Sequence, residues 1–216
     1  GLFRTDPESS RHHGLTKILV PLDSPGLTVR PIAQLDGDPG FAELFFDEVR
    51  VPVDNLLGPE HGGWGVAMAT AGFERGLLLR SPARFQAAAA RLVKLYKQNA
   101  NRLSSGIKEQ VLQAWGDTER FTAATYALVA QVDSGASISS EASANKIFWS
   151  EMDRAMHRTA MTIIGMHAEL EEGEGAIENG RWLDGYMFSL AGPIYAGTNE
   201  IQRNILAERV LGLPRQ

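Results

Sequence analysis

The chain has 216 residues, 44% of them hydrophobic, which is enough to bury the core of one large domain or two small ones. Its 26 acidic residues outnumber its 21 basic ones, and the net charge of −5 argues against a nucleic-acid partner. It contains no cysteine, which excludes disulfides, thiolate metal sites and cysteine nucleophiles and fits a reducing compartment, so we expect a cytoplasmic protein.

The chain begins GLFRTD, with neither an initiating methionine nor a charged-then-apolar leader. This start indicates a truncated chain. No run approaches the roughly 18 apolar residues of a membrane span, so we expect no membrane association.

The first sixty residues have the composition of β-structure. Residues 16–22 form a short β-branched run closed by turn residues 23–26, and residues 27–30 alternate after it, which is compatible with a hairpin. A third segment, residues 41–49, follows the turn-rich stretch 36–40. Three strands are too few to close a barrel, so they need partners that this chain does not supply.

From about residue 65 the pattern becomes helical. We predict a long helix over residues 64–99 with a disturbance at Pro82, and further helices over 107–132, 140–170, 176–188 and 198–210. Long helices with apolar stripes and short connections predict an antiparallel four-helix bundle. The fold class is therefore mainly α.

Several common chemistries have no support in the sequence. The five histidines do not form HExxH or pair at helical spacing, so we expect no metal site and interpret them as surface or core residues. There is no GxSxG elbow, P-loop or dinucleotide fingerprint.

Glu74 is the most informative carboxylate. Its neighbours one helical turn away include no basic residue and are largely apolar: Thr70, Ala71, Leu77 and Leu78. If that face is buried, desolvation raises the pKa of Glu74 toward neutrality, which suits a general base. The alternative is a glutamate that is exposed or paired with an arginine from another helix.

Residues 192–203 form the second unusual stretch. Gly197 permits a close backbone approach or a positive φ, and Thr198 is a good N-cap for the helix that follows. Free N–H groups at such a helix start bind anionic or hydrogen-bond-accepting ligands. The simpler alternative is a capped helix without a ligand.

Taken together, these stretches resemble the acyl-CoA dehydrogenase family over residues 15–216. The resemblance is carried, in this order, by FDEVRVP at 46–52, LLG at 56–58, GGW at 62–64, FER at 73–75 and IYAGTNEIQR at 194–203. It implies the last strands of a middle β domain over residues 1–58 and the C-terminal helical bundle domain over 59–216. By this resemblance we expect the family's N-terminal helical domain and the front of its β domain to lie outside these 216 residues.

The resemblance implies α,β-dehydrogenation of an acyl-CoA thioester, in the degradation of fatty acids or steroid side chains. A glutamate removes the α-proton, the β-hydrogen leaves as hydride to FAD, and an electron-transfer flavoprotein accepts the electrons. FAD in the family lies between the β domain and the bundles of neighbouring subunits. We expect this chain to be inactive by itself.

The expected base departs from the commonest family pattern. Many members carry it as the glutamate of Tyr-Glu-Gly-Thr, where this chain has Ala196. A subset that includes actinobacterial members places the glutamate on the first long helix of the bundle, in a Glu-Arg pair. Glu74 followed by Arg75 matches that arrangement, so the resemblance assigns the base to Glu74.

Other roles follow from the same resemblance. Substrate-binding positions are Gly72, Phe73, Arg75, Tyr195 and Gly197. Flavin-contacting positions are Thr198, Asn199 and Glu200, which also cap and pack the last helix.

Two family segments that contact FAD across subunits are weak here, at Arg102 and at residues 162–166. This is compatible with a homotetramer or with a heterotetramer completed by another sequence, as in members that act on steroid side-chain CoA esters. A non-catalytic assembly subunit that supports an active partner is the alternative function; Ala196 favours it and Glu74 opposes it. A third is a chain that folds only as a bundle-mediated oligomer.

Overall fold

The computed structural model describes residues 1–76, 80–136 and 141–214, and the side chains of residues 71–76 and 141 lie outside this description. The chain forms two compact units, Gly1–Glu74 and Arg75–Gln216. The predicted boundary between residues 58 and 59 concerns the domains of a longer protein and stays a prediction.

Short strands dominate the first unit. They are β1 (Leu2–Arg4), β2 (Leu15–Lys17), β3 (Leu27–Ile32) and β4 (Phe41–Phe46). Strand β1 pairs with β2 and β3 pairs with β4, both antiparallel.

The hairpin expected between residues 16–22 and 27–30 is therefore wrong. Strand β2 ends at Lys17, and the N–H of Leu19 donates instead to the carbonyl of Asn55, at 2.9 Å. Pro21 cannot donate to a ladder, which prevents the run from continuing as a paired strand. A strand is confirmed within the segment expected over 41–49, but β4 ends at Phe46, and β1 was missed.

The β3–β4 pair buries little apolar surface. All six residues of β4 are exposed, with Phe41 exposed at 68%. A two-stranded sheet of this kind is marginal alone.

Helix α1 (Gly63–Gly76) is anchored to β2 at its start. The buried hydroxyl of Thr16 accepts the N–H of His61, at 2.9 Å. A Cβ on Gly63 would lie 2.3 Å from the backbone nitrogen of Lys17, so only glycine permits this approach.

The second unit is helical. It contains α2 (Pro82–Asn99), α3 (Ser105–Asp133), α4 (Glu141–Ile164), α5 (Arg181–Ala191) and α6 (Asn199–Arg209). Short 3-10 segments lie at Val53–Asn55 in the first unit and at Ala100–Arg102 and Gly165–His167 in the second.

Helices α2 to α5 form the predicted antiparallel bundle. The start of α2 packs on the late part of α3 and the early part of α4, since the Phe85 ring lies 5.1 Å from Phe121 and 6.2 Å from Trp149. Helix α5 runs back along α4, from Trp182 beside His157 to its C-terminus beside Trp149. The core contains, fully buried, Phe85, Leu92, Phe121, Trp149, Met156, Ile163 and Trp182.

The helix ends differ from the predictions for local reasons. The helix predicted over 64–99 is divided into α1 and α2, because Pro82 begins α2 after the N-cap position Ser81; residues 77–79 lie outside the described residues. Helix α4 stops at Ile164, before the left-handed Gly165. Helix α5 begins only at Arg181, because residues 178–180 all adopt positive φ.

Within the part of the chain that the structure describes, no helix is both long and apolar enough to cross a membrane. The same residues contain no cluster of three or more potential metal ligands among His, Asp and Glu.

Candidate functional site

The predicted base lies in the last part of α1. Gly72, Phe73, Glu74 and Arg75 belong to its helical backbone, but their side chains lie outside the described residues. The roles assigned to these residues therefore stay predictions.

The second predicted segment is the loop from α5 to α6. The N–H groups of Ile194 and Tyr195 both donate to the carbonyl of Ala191, at 2.9 and 3.0 Å, and Asn199 N–H donates to Pro193, at 2.9 Å. These bonds close the loop at both ends. They fix the direction in which α6 begins.

Ala196 and Gly197 form the left-handed turn of this loop, with φ of 54° and 83°. Gln202 stabilises the turn by donating from Nε2 to the carbonyl of Ala196, at 3.0 Å. The φ of 83° strains a residue with a Cβ, and a Cβ at position 197 would also displace Gln202 Nε2, which it would approach to 2.7 Å, so the turn favours glycine there. Ala196 is exposed, and its methyl group cannot accept a proton.

Thr198 caps α6, as predicted. Its Oγ accepts the N–H of Ile201, at 3.3 Å. The exposed Glu200 bonds its own backbone N–H and the Thr198 hydroxyl, and these bonds hold the pKa of Glu200 below its usual value. The first turn of α6 is thus stabilised from both sides.

The N–H groups of residues 196–198 remain open. No acceptor for them occurs among residues 1–76, 80–136 and 141–214. They lie at a helix N-terminus, where the helix dipole favours negative charge. This donor set fits a ligand whose edge carries hydrogen-bond acceptors, as a flavin ring does.

Asn199 connects α6 to α4 beneath this loop. It is 3% exposed, and its Oδ1 lies 2.7 Å from Nζ of the fully buried Lys146. Its amide group also bonds Ser150 Oγ, at 3.1 Å, and donates to Glu151 Oε1, at 3.3 Å. Asn199 is a buried anchor in this structure, and a direct contact with flavin stays a prediction.

Tyr195 lies in an aromatic cluster beside Arg80. Arg80 was not identified from the sequence as part of the site. The Arg80 guanidinium donates a hydrogen bond to the Tyr195 hydroxyl. It lies 5.2 Å from the Tyr195 ring centre and 4.9 Å from that of Trp149. Burial raises the pKa of Tyr195 above its ordinary value, although the charges of Arg80 and Arg84 oppose this shift.

A buried carboxylate continues this cluster into the bundle. Asp153 is 2% exposed and forms an ion pair with Arg84, at 3.2 Å. Nδ1 of His157 lies 3.1 Å from Asp153 Oδ1 and 2.9 Å from the Asp153 carbonyl oxygen. His157 is therefore a core histidine, one of the two interpretations given to it from sequence.

Lys146 was also missed, although the sequence contains a signal for it. On α4 its neighbours three and four residues away are Ala142, Ser143, Trp149 and Ser150, none of them acidic. A lysine on such a face needs a partner from another element. Which element provides it cannot be read from spacing.

The comparisons agree with this fold. Residues 61–211 match the family described as acyl-CoA dehydrogenase, C-terminal domain. The acyl-CoA dehydrogenase IpdE1 of Mycolicibacterium smegmatis is 40% identical over 215 residues, which are 99% of this chain and 53% of that protein. The chain therefore spans about half the length of the curated relatives that it matches.

Two solved structures are similar over the whole chain. The ChsE4-ChsE5 complex from Mycobacterium tuberculosis has a TM-score of 0.83 at 26% identity and is covered to 57%. The Tcur3481-Tcur3483 steroid ACAD has a TM-score of 0.88 at 24% identity and is covered to 56%. The helical unit has the architecture of an acyl-CoA dehydrogenase C-terminal domain, and the chain belongs to the acyl-CoA dehydrogenase family.

Proposed function

We propose that this chain is part of an FAD-dependent acyl-CoA dehydrogenase in which Glu74 removes the α-proton of the acyl-CoA thioester. The observation that carries the proposal is the loop at residues 194–198. It keeps the open N–H groups and the capped helix start, but it has the exposed Ala196 where many family members carry the base. The base must then come from another element, and α1 carries the Glu74-Arg75 pair.

Residues of this chain would contribute both to FAD binding and to orienting the substrate. The N–H groups of residues 196–198 would hold the acceptor edge of FAD, and Thr198 would fix the start of α6 beneath it. FAD supplies hydride acceptance, and an electron-transfer flavoprotein would remove the electrons. Tyr195, fixed by Arg80, would help to orient the thioester, and Glu74 would take the α-proton.

We further propose a tetramer, in the heteromeric form that the ChsE4-ChsE5 likeness favours. Helix α3 exposes Leu112, Trp115, Tyr126 and Val129, with Tyr126 exposed at 63%. An apolar groove of about 460 Å³ lies between α3 and α4, lined in part by Ala124, Leu128 and Phe148. Apolar surface of this kind marks a protein interface.

The alternative is a non-catalytic subunit that keeps the bundle for assembly. Ala196 favours it, since a chain without a base at that position is catalytic only if Glu74 acts. In that case the acyl-CoA would react in the partner subunit, and substitution of Glu74 would have no effect on turnover.

The function is tested on the full-length protein, with and without candidate partner subunits. Loss of flavin absorbance is followed with straight-chain, branched and steroid-derived acyl-CoAs. Bleaching by one of these classes supports the dehydrogenase. Bound flavin that none of them bleaches, with or without a partner, contradicts it.

A further inference from the structure

Lys146 on α4 is a fully buried lysine. Its side chain is 0% exposed, and Nζ donates to Asn199 Oδ1, at 2.7 Å. Burial lowers the pKa of Lys146 below its ordinary value, although the carboxylates of Glu200 and Glu151 oppose this shift. A buried ammonium is costly, so its position calls for an explanation.

Helix stability does not explain it. Asn199 is the first residue of α6, so the ammonium lies at the positive end of that helix. Cations stabilise helix C-termini and destabilise N-termini. An apolar side chain of the same length would pack at this position without a desolvation cost.

The contacts of Asn199 show which groups are oriented by Lys146. With Lys146 on Oδ1, the amide nitrogen is directed to Ser150 Oγ and Glu151 Oε1. Glu151 in turn bonds Arg203, one turn further along α6, at 2.5 Å. The first turn of α6 is thus fixed to α4 through the bonds of Asn199 to Lys146, Ser150 and Glu151.

The same lysine adds positive charge to this region. It is bonded to the residue that directly follows the open N–H groups of 196–198, which already lie at the positive end of α6. In a buried setting such a charge is weakly screened. The carboxylates of Glu200 and Glu151 also act on this lysine, so its charge makes the field at the loop more positive than those carboxylates alone would leave it.

We propose that Lys146 is a positioning residue for the flavin-contacting segment. Through Asn199 it fixes the first turn of α6, and its charge makes the loop at 196–198 favour the more negatively charged, reduced form of the flavin. The inference rests on the proposed function for the presence of FAD. The fixing of α6 is independent of it.

The test uses the full-length, flavin-loaded protein and compares Lys146→Met with Lys146→Arg. Lys108→Met is the matched control, since Lys108 is exposed on α3. For Lys146→Met we expect amide exchange over residues 196–203 to accelerate at least about tenfold, and FAD affinity to fall about ten- to a hundredfold, because Asn199 loses a charged partner. The midpoint potential of the bound flavin becomes more negative, and Lys146→Arg restores part of each effect.

Lys146→Gln separates charge from geometry if Lys146→Met does not fold. A glutamine keeps a neutral donor for Asn199 Oδ1 but removes the positive charge, and the amide nitrogen of Asn199 keeps its bonds to Ser150 Oγ and Glu151 Oε1. We expect exchange over 196–203 to remain slow while the flavin potential falls. A potential equal to that of the wild type in both foldable variants overturns the proposal.

The two proposals fail in different ways. If the full-length wild type binds no flavin, the proposed function fails, and amide exchange still decides whether Lys146 fixes α6. If the wild type binds flavin and Lys146→Met matches the Lys108→Met control in exchange, affinity and potential, the inference about Lys146 alone is wrong.

Discussion

Arg80 and Tyr195 are 115 residues apart in sequence, yet the Arg80 guanidinium donates a hydrogen bond to the Tyr195 hydroxyl. The same guanidinium lies over the Tyr195 and Trp149 rings. The pair joins the chain just before α2 to the loop before α6. The loop that contains Tyr195, which the family resemblance assigns to substrate binding, is thereby tied to the helical core.

Substitution of Arg80 tests this connection. Because the Arg80 charge opposes the upward shift of the Tyr195 pKa, Arg80→Met should raise that pKa further, and the free energy of unfolding should fall by about 1–2 kcal/mol. Ultraviolet titration of the phenol, with Tyr195→Phe to identify its signal, measures the pKa. Arg158→Met, at an exposed arginine of α4, is the control, and equal effects of the two substitutions would count against the connection.

Substitution of Gly197, in the turn at residues 196–197, and of Gly116, within α3, should change the free energy of unfolding in opposite directions. Gly197→Ala places a Cβ 2.7 Å from Gln202 Nε2 at a φ of +83°, so it should destabilise the protein by about 1–2 kcal/mol. Gly116→Ala lies within α3 with no heavy atom within 4 Å of the added Cβ and should stabilise by about 0.5–1 kcal/mol. Thermal or urea unfolding measures both. Equal signs would show that the turn is not as described.

The stability of the protein should depend on pH through Lys146. Its folded pKa lies below the ordinary 10.5, so in the window between the two values the unfolded chain binds the proton more tightly. The wild type should therefore gain stability relative to Lys146→Met as the pH rises through that window. Below the folded pKa the difference between the two proteins should be constant. Urea unfolding at a series of alkaline pH values measures this, and a pH-independent difference throughout would contradict a buried, titrating lysine.

Much of the helical fold could be predicted from the sequence, because apolar periodicity and local stop signals determine the helices. The predicted range 107–132 differs from α3 by two residues or fewer at each end, and Thr198 was correctly expected as the cap of α6. The strand pairing could not be predicted, since pairing depends on partners far apart in sequence, as with Leu27 and Phe46.

In the candidate site, too, the roles that depend on nearby residues could be predicted and those that depend on distant elements could not. Gly197 and Thr198 were predictable, because their roles are local to a turn and a cap. Arg80 and Lys146 were not, because each acts through a residue on a distant element, Tyr195 or Asn199. Spacing along one helix shows that a charge lacks a local partner but not which element supplies one.

Asp153 should be far more sensitive to substitution than a surface ion pair. Asp153→Asn removes the carboxylate between Arg84 and His157 and should cost about 2–3 kcal/mol of unfolding free energy, because it leaves the Arg84 guanidinium without its buried, negatively charged partner. Arg203→Ala breaks the half-exposed pair with Glu151 and should cost less than about 1 kcal/mol. Urea unfolding at neutral pH compares the two, and equal costs would show that burial does not strengthen the Asp153 pairs.

The central claim concerns the position of the base, and single-turnover reduction of the flavin tests it most directly. The full-length protein, with its partner subunit if one is required, is mixed with the acyl-CoA that bleaches its flavin best. Glu74→Gln should slow flavin reduction by about 10² to 10⁴-fold without loss of FAD, and adding Ala196→Glu, which restores a carboxylate on the loop, should recover part of the rate. Reduction by Glu74→Gln at the wild-type rate would show that Glu74 is not the base.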